Sequence, residues 1–331
     1  MAPAAGEEGL VLVGDIGGTN ARLALAEIAG ERVRLIEPLI LKCADFPRAE
    51  DAIDHYLRAV GRPKPAATVL ALAGPVGQGE VVSTNGFWSL SEAGLVAFGF
   101  TAAKLINDFA ALALAAPRLG LEDLAYVGSQ PSRLTFAETI AVAGAGTGFG
   151  VGAWVRGVGG QAAAATEGGH IGFAPVDELE IEILRLLTHR FGRVSIERIL
   201  SGPGLVTLRS ALAEIEGTPV QPMSPEAIVA DGVSGADGLC SLTLDRFCAI
   251  YGSVAGDLAL AFGARGGVYL GGGVAAGMIE RVRASAFRQR FVAKGRFEPY
   301  LAAIPTAVIV DPYAALRGAA WALAAAVQSG G

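Results

Sequence analysis

The hydrophobic pattern of the chain is interrupted twice by a glycine-rich turn that lies between two apolar runs. The first apolar run ends at Asp15, the chain reverses through residues 17–20, and a second run follows at 23–26. This pattern predicts a strand, a tight turn and a strand. The arrangement recurs in the second half, where the glycines of residues 144–150 again lie between two apolar runs. Two such hairpins, one in each half, predict a duplicated fold.

Around the hairpins, short apolar runs alternate with helical patterns. Further strands are predicted at residues 33–41, 67–73, 104–106, 267–270 and 307–310. Helices are predicted at residues 46–60, 89–98, 109–116, 177–191, 195–200, 203–216, 225–231 and 237–263, and from Tyr313 onward. In the first of these helices, Asp45 is the candidate cap and Pro47 lies in the first turn. The alternation of strands and helices predicts an α/β protein.

Length and composition predict two packed domains. The chain has 331 residues, more than one hydrophobic core usually serves. Hydrophobic residues make up 52% and charged residues 18%, so a large core can be buried and disorder is not expected. We predict a small α/β domain at residues 1–108, joined by a C-terminal helix at 312–331, and a larger α/β domain at 109–311.

The charge distribution argues against nucleic acid as a partner. The formal net charge is −6, and no block of lysine and arginine marks a basic surface. The nearest approach to one, between Arg281 and Arg296, alternates with apolar residues. We interpret it as the solvated face of a helix.

The sequence predicts neither a membrane protein nor a secreted one. Two glutamates near the N-terminus stand where a signal peptide needs positive charge, and the longest uncharged run, 139–155, is interrupted by glycines. Cys43, Cys240 and Cys248 form no C-x-x-C pair, which disfavours disulfides and a thiolate zinc site. Cys240 and Cys248 are expected on one buried helical face. A reducing cytoplasm suits free thiols.

The two glycine turns suit an anionic ligand such as nucleotide phosphate. Adjacent glycines let backbone N–H groups approach an oxygen without a Cβ in the way, and short polar side chains add donors. The candidate ligands are Gly17, Gly18, Thr19 and Asn20 in the first turn and Gly144, Gly146, Thr147 and Gly148 in the second. Asp15 is a candidate to hold Mg²⁺ through water. The alternative is a simple type I′ or II′ turn; neither a P-loop nor a dinucleotide-binding glycine motif is present.

Three polar clusters are candidates for chemistry. Asn107 and Asp108 lie where a strand ends and a helix begins, so Asp108 can cap the helix, accept a hydroxyl proton, or do both. Glu167 and His170 are separated by two glycines, which exclude a helical zinc pair, and we interpret His170 as a ligand contact. Glu197 falls in the first turn of a predicted helix, where a glutamate usually complements the helix dipole.

Taken in order, these motifs resemble those of the bacterial glucokinases, hexokinase-type sugar kinases of the actin, sugar kinase and heat-shock ATPase superfold. The matching segments follow the family's order over nearly the whole chain: residues 12–25, 106–109, 144–148, 167–170, 195–205 and 271–273. The resemblance implies a two-lobed, ribonuclease H-like, duplicated actin-like ATPase fold with a ligand cleft between the lobes. It also implies ATP-dependent phosphorylation of the 6-hydroxyl of D-glucose, a glycolytic reaction.

The resemblance assigns roles to single residues. It implies that Asp108 is the catalytic base, and that the glucose hydroxyls are bound by Asn107, Asp108, Glu167, His170 and Glu197. The two glycine turns are expected to hold the phosphates of Mg-ATP, and Gly271, Gly272 and Gly273 to lie along the adenosine. The expected cofactors are therefore ATP and Mg²⁺. Glucose and ATP are the expected partners, and the family often forms homodimers.

The chain departs from the family pattern at two places near the sugar. Residues 84–88 read Thr-Asn-Gly-Phe-Trp where many members have histidine after Thr-Asn, and Gly172 stands where an aspartate can occur. A kinase for mannose, fructose or an N-acetylated amino sugar is therefore the alternative. No cysteine-rich motif follows His170, so zinc is not expected. A sugar-binding regulator is less favoured, because the about nine residues before the first strand are too few for a helix-turn-helix module, and a chaperone-like ATPase would need a separate substrate domain.

Overall fold

The computed structural model describes residues 9–29, 32–74, 76–77, 79–81, 88–129, 138–158, 160–219 and 221–329. The chain folds into two compact units. The first runs to Arg118 and resumes at Asp311, and the second spans Leu119–Val310. The predicted domain limits at residues 108 and 311 remain a prediction. The sequence segment 84–87, where the chain departs from the family pattern, lies outside the described residues.

The first unit is built on a mixed sheet. Its strands are β1 (Leu10–Ile16), β2 (Asn20–Ala29), β3 (Arg32–Lys42), β4 (Ala67–Leu72), β5 (Glu80–Val81), β6 (Leu90–Ser91) and β7 (Ala102–Asn107). Its first helices are α1 (Ala49–Ala59), α2 (Glu92–Ala97) and α3 (Asp108–Ala115). Among the described residues, the main sheet has the order β3-β2-β1-β4-β7, and β5 pairs with β6.

The second unit is richer in helices. Its strands are β8 (Leu124–Val127), β9 (Ile140–Ala145), β10 (Phe149–Gly157), β11 (Gly160–Thr166), β12 (Gly267–Gly271) and β13 (Thr306–Ile309). Its helices are α4 (Glu178–Phe191), α5 (Gly202–Glu216), α6 (Pro225–Ser234), α7 (Gly238–Phe262), α8 (Gly273–Ala276), α9 (Ile279–Ala284), α10 (Phe287–Val292) and α11 (Glu298–Ala302). The sheet order over the described residues is β11-β10-β9-β12-β13-β8.

The two sheets repeat one topology, which confirms the predicted duplication. In the first, β3, β2 and β1 are antiparallel neighbours, and β4 and β7 then continue parallel to β1. In the second, β11, β10 and β9 are antiparallel, and β12 and β13 continue parallel to β9. The hairpins β1-β2 and β9-β10, which carry the glycine turns, therefore occupy equivalent places.

The C-terminal helix α12 (Ala314–Ser329) returns to the first unit and covers one face of its sheet. Leu316, Ala319 and Ala320 pack with the valines of β1. Gly318 lies against α3 so closely that a Cβ there would be 1.8 Å from the Ala111 carbonyl oxygen. The opposite face of the sheet is buried against α1, so both faces of the sheet are covered.

The ends of α4 and α7 lie where the predicted ranges place them, and each has a clear cap. Asp177 caps α4, Asp237 caps α7, and α7 ends at Gly263 in the left-handed region. The prediction for the first helix was wrong in detail. Arg48 precedes α1 without a side-chain cap, and Asp45 belongs to a 3₁₀ turn, Cys43–Asp45, that closes before the helix begins. Pro47 therefore lies ahead of the helix.

The basic segment between Arg281 and Arg296 is not a solvated helical face. Arg281 pairs with Asp245, and Arg288 donates to the carbonyls of Ala302 and Ile304 at 2.8 Å, where they end α11 and the following turn. Burial lowers the pKa of Arg288 below its ordinary value. These arginines therefore form contacts within the second unit. The alternation of charged and apolar residues in the sequence cannot distinguish such contacts from exposure to solvent.

Within the described residues, no single helix is long and apolar enough to cross a membrane. The pair α6 and α7 reaches that length and composition together, but the two are bent by 100°. Cys240 and Cys248 both lie buried on α7, as predicted, and Cys43 is also a buried free thiol.

Candidate active site

The first glycine turn leaves space for a side chain at Gly17. Gly17 donates its N–H to the Asn20 carbonyl at 3.0 Å, and neither Gly17 nor Gly18 has a positive φ. A Cβ on Gly17 would meet only the Asn20 carbonyl oxygen, at an ordinary 3.6 Å. The simple type I′ or II′ turn is therefore the wrong interpretation, since both need positive φ. The fold itself does not require glycine at residue 17, and Thr19 is exposed beside it.

Cys43 contacts the backbone of this turn at two points. Its N–H donates to the Thr19 carbonyl at 2.9 Å, and its thiol lies 3.5 Å from the Gly17 carbonyl oxygen. The thiol is buried, and burial raises its pKa. Sequence reasoning missed this contact because Cys43 lies a whole hairpin away along the chain.

Asp15 lies near the end of β1, opposite Arg22 of β2. Arg22 Nη1 and Asp15 Oδ2 are 3.0 Å apart, and no hydrogen bond within the described residues engages Oδ1. Burial raises the pKa of Asp15, and the guanidinium of Arg22 opposes that rise. No cluster of three metal-ligating side chains occurs in the described part of the chain. One carboxylate with a free oxygen fits Mg²⁺ held through water and substrate phosphate, and does not fit an all-protein cage.

Asn107 and Asp108 stand at the carboxyl end of β7. The helix cap is Asn107, whose Oδ1 accepts from the N–H groups of Phe109 and Ala110 at 3.0 Å, while its amide donates to the Gly74 carbonyl. Asp108 is thus the first helical residue and not the cap. Its Oδ1 accepts the Phe109 N–H at 2.9 Å. Because β1, β4 and β7 are parallel, Asp15 and Asn107 lie toward the same edge of the sheet.

The second glycine turn is also open. Gly146 bonds through its N–H to the Gly148 carbonyl at 2.8 Å, has no positive φ, and has no atom within 4 Å of the place where a Cβ would be. Gly272 follows the end of β12 with φ 82°, and a Cβ there would lie 2.3 Å from the carbonyl oxygen of Ala145. The third glycine segment therefore packs directly on the second turn. Gly271 pairs with Gly144 in the sheet register.

Glu197 reaches this second turn from a short 3₁₀ helix, Ile196–Arg198, and not from the longer helix predicted. Its Oε2 accepts the Phe149 N–H at 2.8 Å, and a Cβ on Gly148 would lie 2.5 Å from the same oxygen. Glycine at residue 148 therefore makes room for the carboxylate. The dipole role expected for Glu197 is replaced by a direct hydrogen bond to the turn.

Glu167 precedes another 3₁₀ turn, Gly168–His170, and His170 is its last residue. The Glu167 Oε2 and His170 Nε2 atoms are 3.8 Å apart, and both side chains are more than half exposed, at 56% and 59%. Gly169 packs on the backbone of Phe149, where a Cβ would come within 1.9 Å of the carbonyl oxygen. Glu197 and the turn of Glu167 and His170 are thus both seated on Phe149, through its N–H and its carbonyl.

Three further residues hold these segments, and sequence reasoning missed them. Thr166 Oγ1 accepts the Gly168 N–H and donates to the Val151 carbonyl, and Arg193 donates to the His170 carbonyl at 2.6 Å. Ser201 caps α5 and donates to the Glu197 carbonyl at 2.8 Å. The serine-glycine-proline sequence before α5 was the available signal for a cap, because proline favours the first turn.

Comparison with known proteins shows the family to which the chain is similar. The family model described as Glucokinase matches residues 12–326. A glucokinase of Caulobacter vibrioides (strain NA1000 / CB15N) is 53% identical over 319 residues, which is 95% of each chain. A glucokinase of Caulobacter sp. (strain K31) is 52% identical over 316 residues, again 95% of each. The crystal structure of a glucokinase from an Antarctic psychrotroph superposes with a TM-score of 0.84 at 37% identity, covering 96% of this chain and 99% of that one.

A duplicated sheet with a glycine hairpin in each copy, together with these structural neighbours, defines a sugar kinase of the actin-like ATPase fold. The resemblance seen in the sequence is thereby confirmed. The chain belongs to the glucokinase family. Its family activity is the ATP-dependent phosphorylation of glucose, which makes it a phosphotransferase.

Proposed function

We propose that this chain transfers the γ-phosphoryl group of ATP to the 6-hydroxyl of D-glucose, with Asp108 as the general base. The observation that carries the proposal is that the fold requires glycine neither at residue 17 of the first turn nor at residue 146 of the second. Gly17 and Gly146 have neither positive φ nor a close neighbour on the Cβ side. If a phosphate oxygen approaches the backbone N–H groups of the turns, it needs the space that a side chain would fill, and this would explain the glycine at both positions.

The roles of the sugar-binding residues follow from their free hydrogen-bonding groups. Glu167 and His170 are exposed and adjacent, and Glu197 has one carboxylate oxygen engaged by Phe149. These groups can bind the hydroxyls of a neutral sugar, because each hydroxyl both donates and accepts. Asn107 contributes less than its chemistry suggests, since its Oδ1 already caps α3. One amide N–H is left for the sugar.

The reaction is mostly a matter of positioning. The backbone N–H groups of the two turns neutralise phosphate charge, with Thr19 and Thr147 as hydroxyl donors. Asp108 accepts the hydroxyl proton late in the transfer. Bound Mg²⁺ would supply further neutralisation of the phosphates, and Asp15 is the residue that would hold it, through water. Residues 271–273 would lie along the adenosine.

The specific test is a sugar panel. Purified protein with Mg-ATP is given glucose, mannose, fructose, N-acetylglucosamine or no sugar, while sugar phosphate and ADP are followed together. We expect turnover on glucose to exceed that on every other sugar. Faster turnover on another sugar would overturn glucose as the substrate but keep the fold and the turns. ADP release without any sugar phosphate would contradict the kinase proposal altogether.

The open turn gives a prediction of its own. Gly146→Ala should leave the free energy of unfolding almost unchanged, because no atom lies near the new methyl group. It should raise the KM for ATP at least about 10-fold, since the methyl group occupies the path of a phosphate oxygen that otherwise forms a charge-assisted hydrogen bond. Steady-state kinetics at saturating glucose measures this.

Gly157→Ala is the matched control for that substitution. Gly157 ends β10 and also has no atom within 4 Å of a Cβ, but it lies outside the turn. Its KM for ATP should match that of the wild type. An unchanged KM for ATP in Gly146→Ala would remove the second turn from the nucleotide site.

We also infer a cytoplasmic enzyme, because the cysteines of the described chain are free and buried. A homodimer remains a prediction from the family resemblance. Sedimentation equilibrium over a range of protein concentrations would decide the oligomeric state. We expect no binding of nucleic acid, because the basic residues between Arg281 and Arg296 bond within the protein.

A further inference from the structure

The segment from Glu197 to Gly202 joins the candidate sugar site to the second glycine turn. Phe149 N–H donates to Glu197 Oε2 at 2.8 Å, and Gly202 N–H donates to the Gly146 carbonyl at 2.8 Å. The two bonds attach the segment to both ends of the turn. A side chain that restrains the segment is therefore expected to restrain the turn as well.

Ser201 holds this segment in its shape. It is buried, with 2% of its surface exposed. Its Oγ donates to the Glu197 carbonyl at 2.8 Å and accepts the Gly204 N–H at 2.9 Å. One hydroxyl thus ties the backbone of Glu197 to the first turn of α5.

The carboxylate of Glu197 has capacity for two tasks. Oε2 is engaged by Phe149, and no hydrogen bond within the described residues engages Oε1. A sugar hydroxyl bound at Oε1 would restrain the same carboxylate that orders the turn. Because binding free energies at linked sites are reciprocal, a turn ordered by nucleotide would in turn favour the sugar.

We propose that the Glu197–Gly202 segment couples sugar binding to nucleotide binding, with Ser201 as the positioning residue that makes the coupling possible. The proposal rests on the proposed function, in which Glu197 binds glucose and the second turn binds phosphate. It adds that the two ligands assist each other through a hydrogen-bonded segment inside one unit of the protein.

The test measures the Kd of glucose by titration calorimetry, alone and with a saturating non-hydrolysable ATP analogue and Mg²⁺. The ratio of the two Kd values is the coupling factor. For the wild type we expect it to be about 5-fold or more. In Ser201→Ala it should fall by ~2–10-fold, the effect of one hydrogen bond, while the Kd of glucose alone changes less.

Ser224→Ala is the matched control. Ser224 caps α6 by accepting the Ala227 N–H, and a proline follows it just as one follows the start of α5. Within the described residues its side chain forms no hydrogen bond to the turn, so its coupling factor should equal that of the wild type. Equal losses of coupling in the two serine variants would show a general effect of helix capping and overturn the proposal.

Two further outcomes separate the proposal from the function on which it rests. Glu197→Gln should weaken glucose binding without nucleotide; if the Kd of glucose alone is unchanged, Glu197 is not a sugar ligand and the proposed function is wrong at that residue. If Glu197→Gln weakens glucose binding but Ser201→Ala keeps the wild-type coupling factor, the site stands and the coupling proposal fails. A wild-type coupling factor of 1 also overturns it.

Discussion

Asp108→Asn is expected to fold normally and to lose nearly all kinase activity. A general base typically contributes ~10²–10⁴-fold to the rate, and an amide cannot accept the hydroxyl proton. The loss should appear in kcat, with the Kd of glucose largely retained, because the substitution keeps the size and polarity of the side chain. The fold should persist because Asn107, and not Asp108, caps α3. Single-turnover phosphorylation and thermal unfolding measure the two effects.

Asp237→Asn is the control for that experiment. Asp237 caps α7 at the start of a helix in the second unit, and asparagine caps a helix nearly as well. Its kcat should stay within about 2-fold of the wild type. Wild-type turnover in Asp108→Asn would remove the base from the mechanism. A loss of kcat accompanied by a clear decrease in the free energy of unfolding would point to a structural role for Asp108.

The sequence predicted the scaffold well because its signals are local. Strand, turn and strand follow one another within a few residues at Asp15 and again at Gly144, and the sheets duplicate accordingly. The ends of α4 and α7 coincide with Asp177, Asp237 and Gly263, since caps act on the next three or four residues. Turns and caps of this kind can be predicted without knowing which other elements pack against them.

The contacts within the candidate site could not be predicted from the sequence in the same way. Glu197 and Phe149 are 48 residues apart, and their hydrogen bond depends on how β10 and the 3₁₀ turn are packed. The same holds for Gly169, whose role is set by a carbonyl oxygen twenty residues earlier in the chain. Asp108 was one candidate for the cap of its helix, but the cap is Asn107, which is also a good cap residue; only the backbone geometry decides between such neighbours.

An ionic cluster at the start of α4 gives the largest expected change in the free energy of unfolding. Glu180 is completely buried and accepts hydrogen bonds from Arg290 at 2.8 and 2.9 Å and from Arg246 at 3.1 Å. The Val176 N–H also donates to it at 3.0 Å. Asp177 pairs with the same two arginines. The cluster thus pairs two carboxylates, from α4 and its cap residue Asp177, with two guanidinium groups, from α7 and α10.

Glu180→Gln should lower the free energy of unfolding by about 3–5 kcal/mol, the usual cost of removing one member of a buried ionic pair. The two guanidinium groups would share the single carboxylate of Asp177, and the amide that replaces Glu180 would present N–H groups to cations. The high cost arises because the remaining charge stays buried and cannot be solvated. Urea denaturation followed by circular dichroism measures the change.

Glu178→Gln is the matched control, on the same helix and two residues away. Glu178 is exposed, and its substitution should change the free energy of unfolding by no more than about 0.5 kcal/mol. A change as small as this in Glu180→Gln would mean that the cluster is solvated in solution and contributes little. Because Val176 also bonds to Glu180, partial unfolding of the variant should begin with the segment that leads from His170 into α4. Amide hydrogen exchange of residues 171–177 would then rise before that of α7.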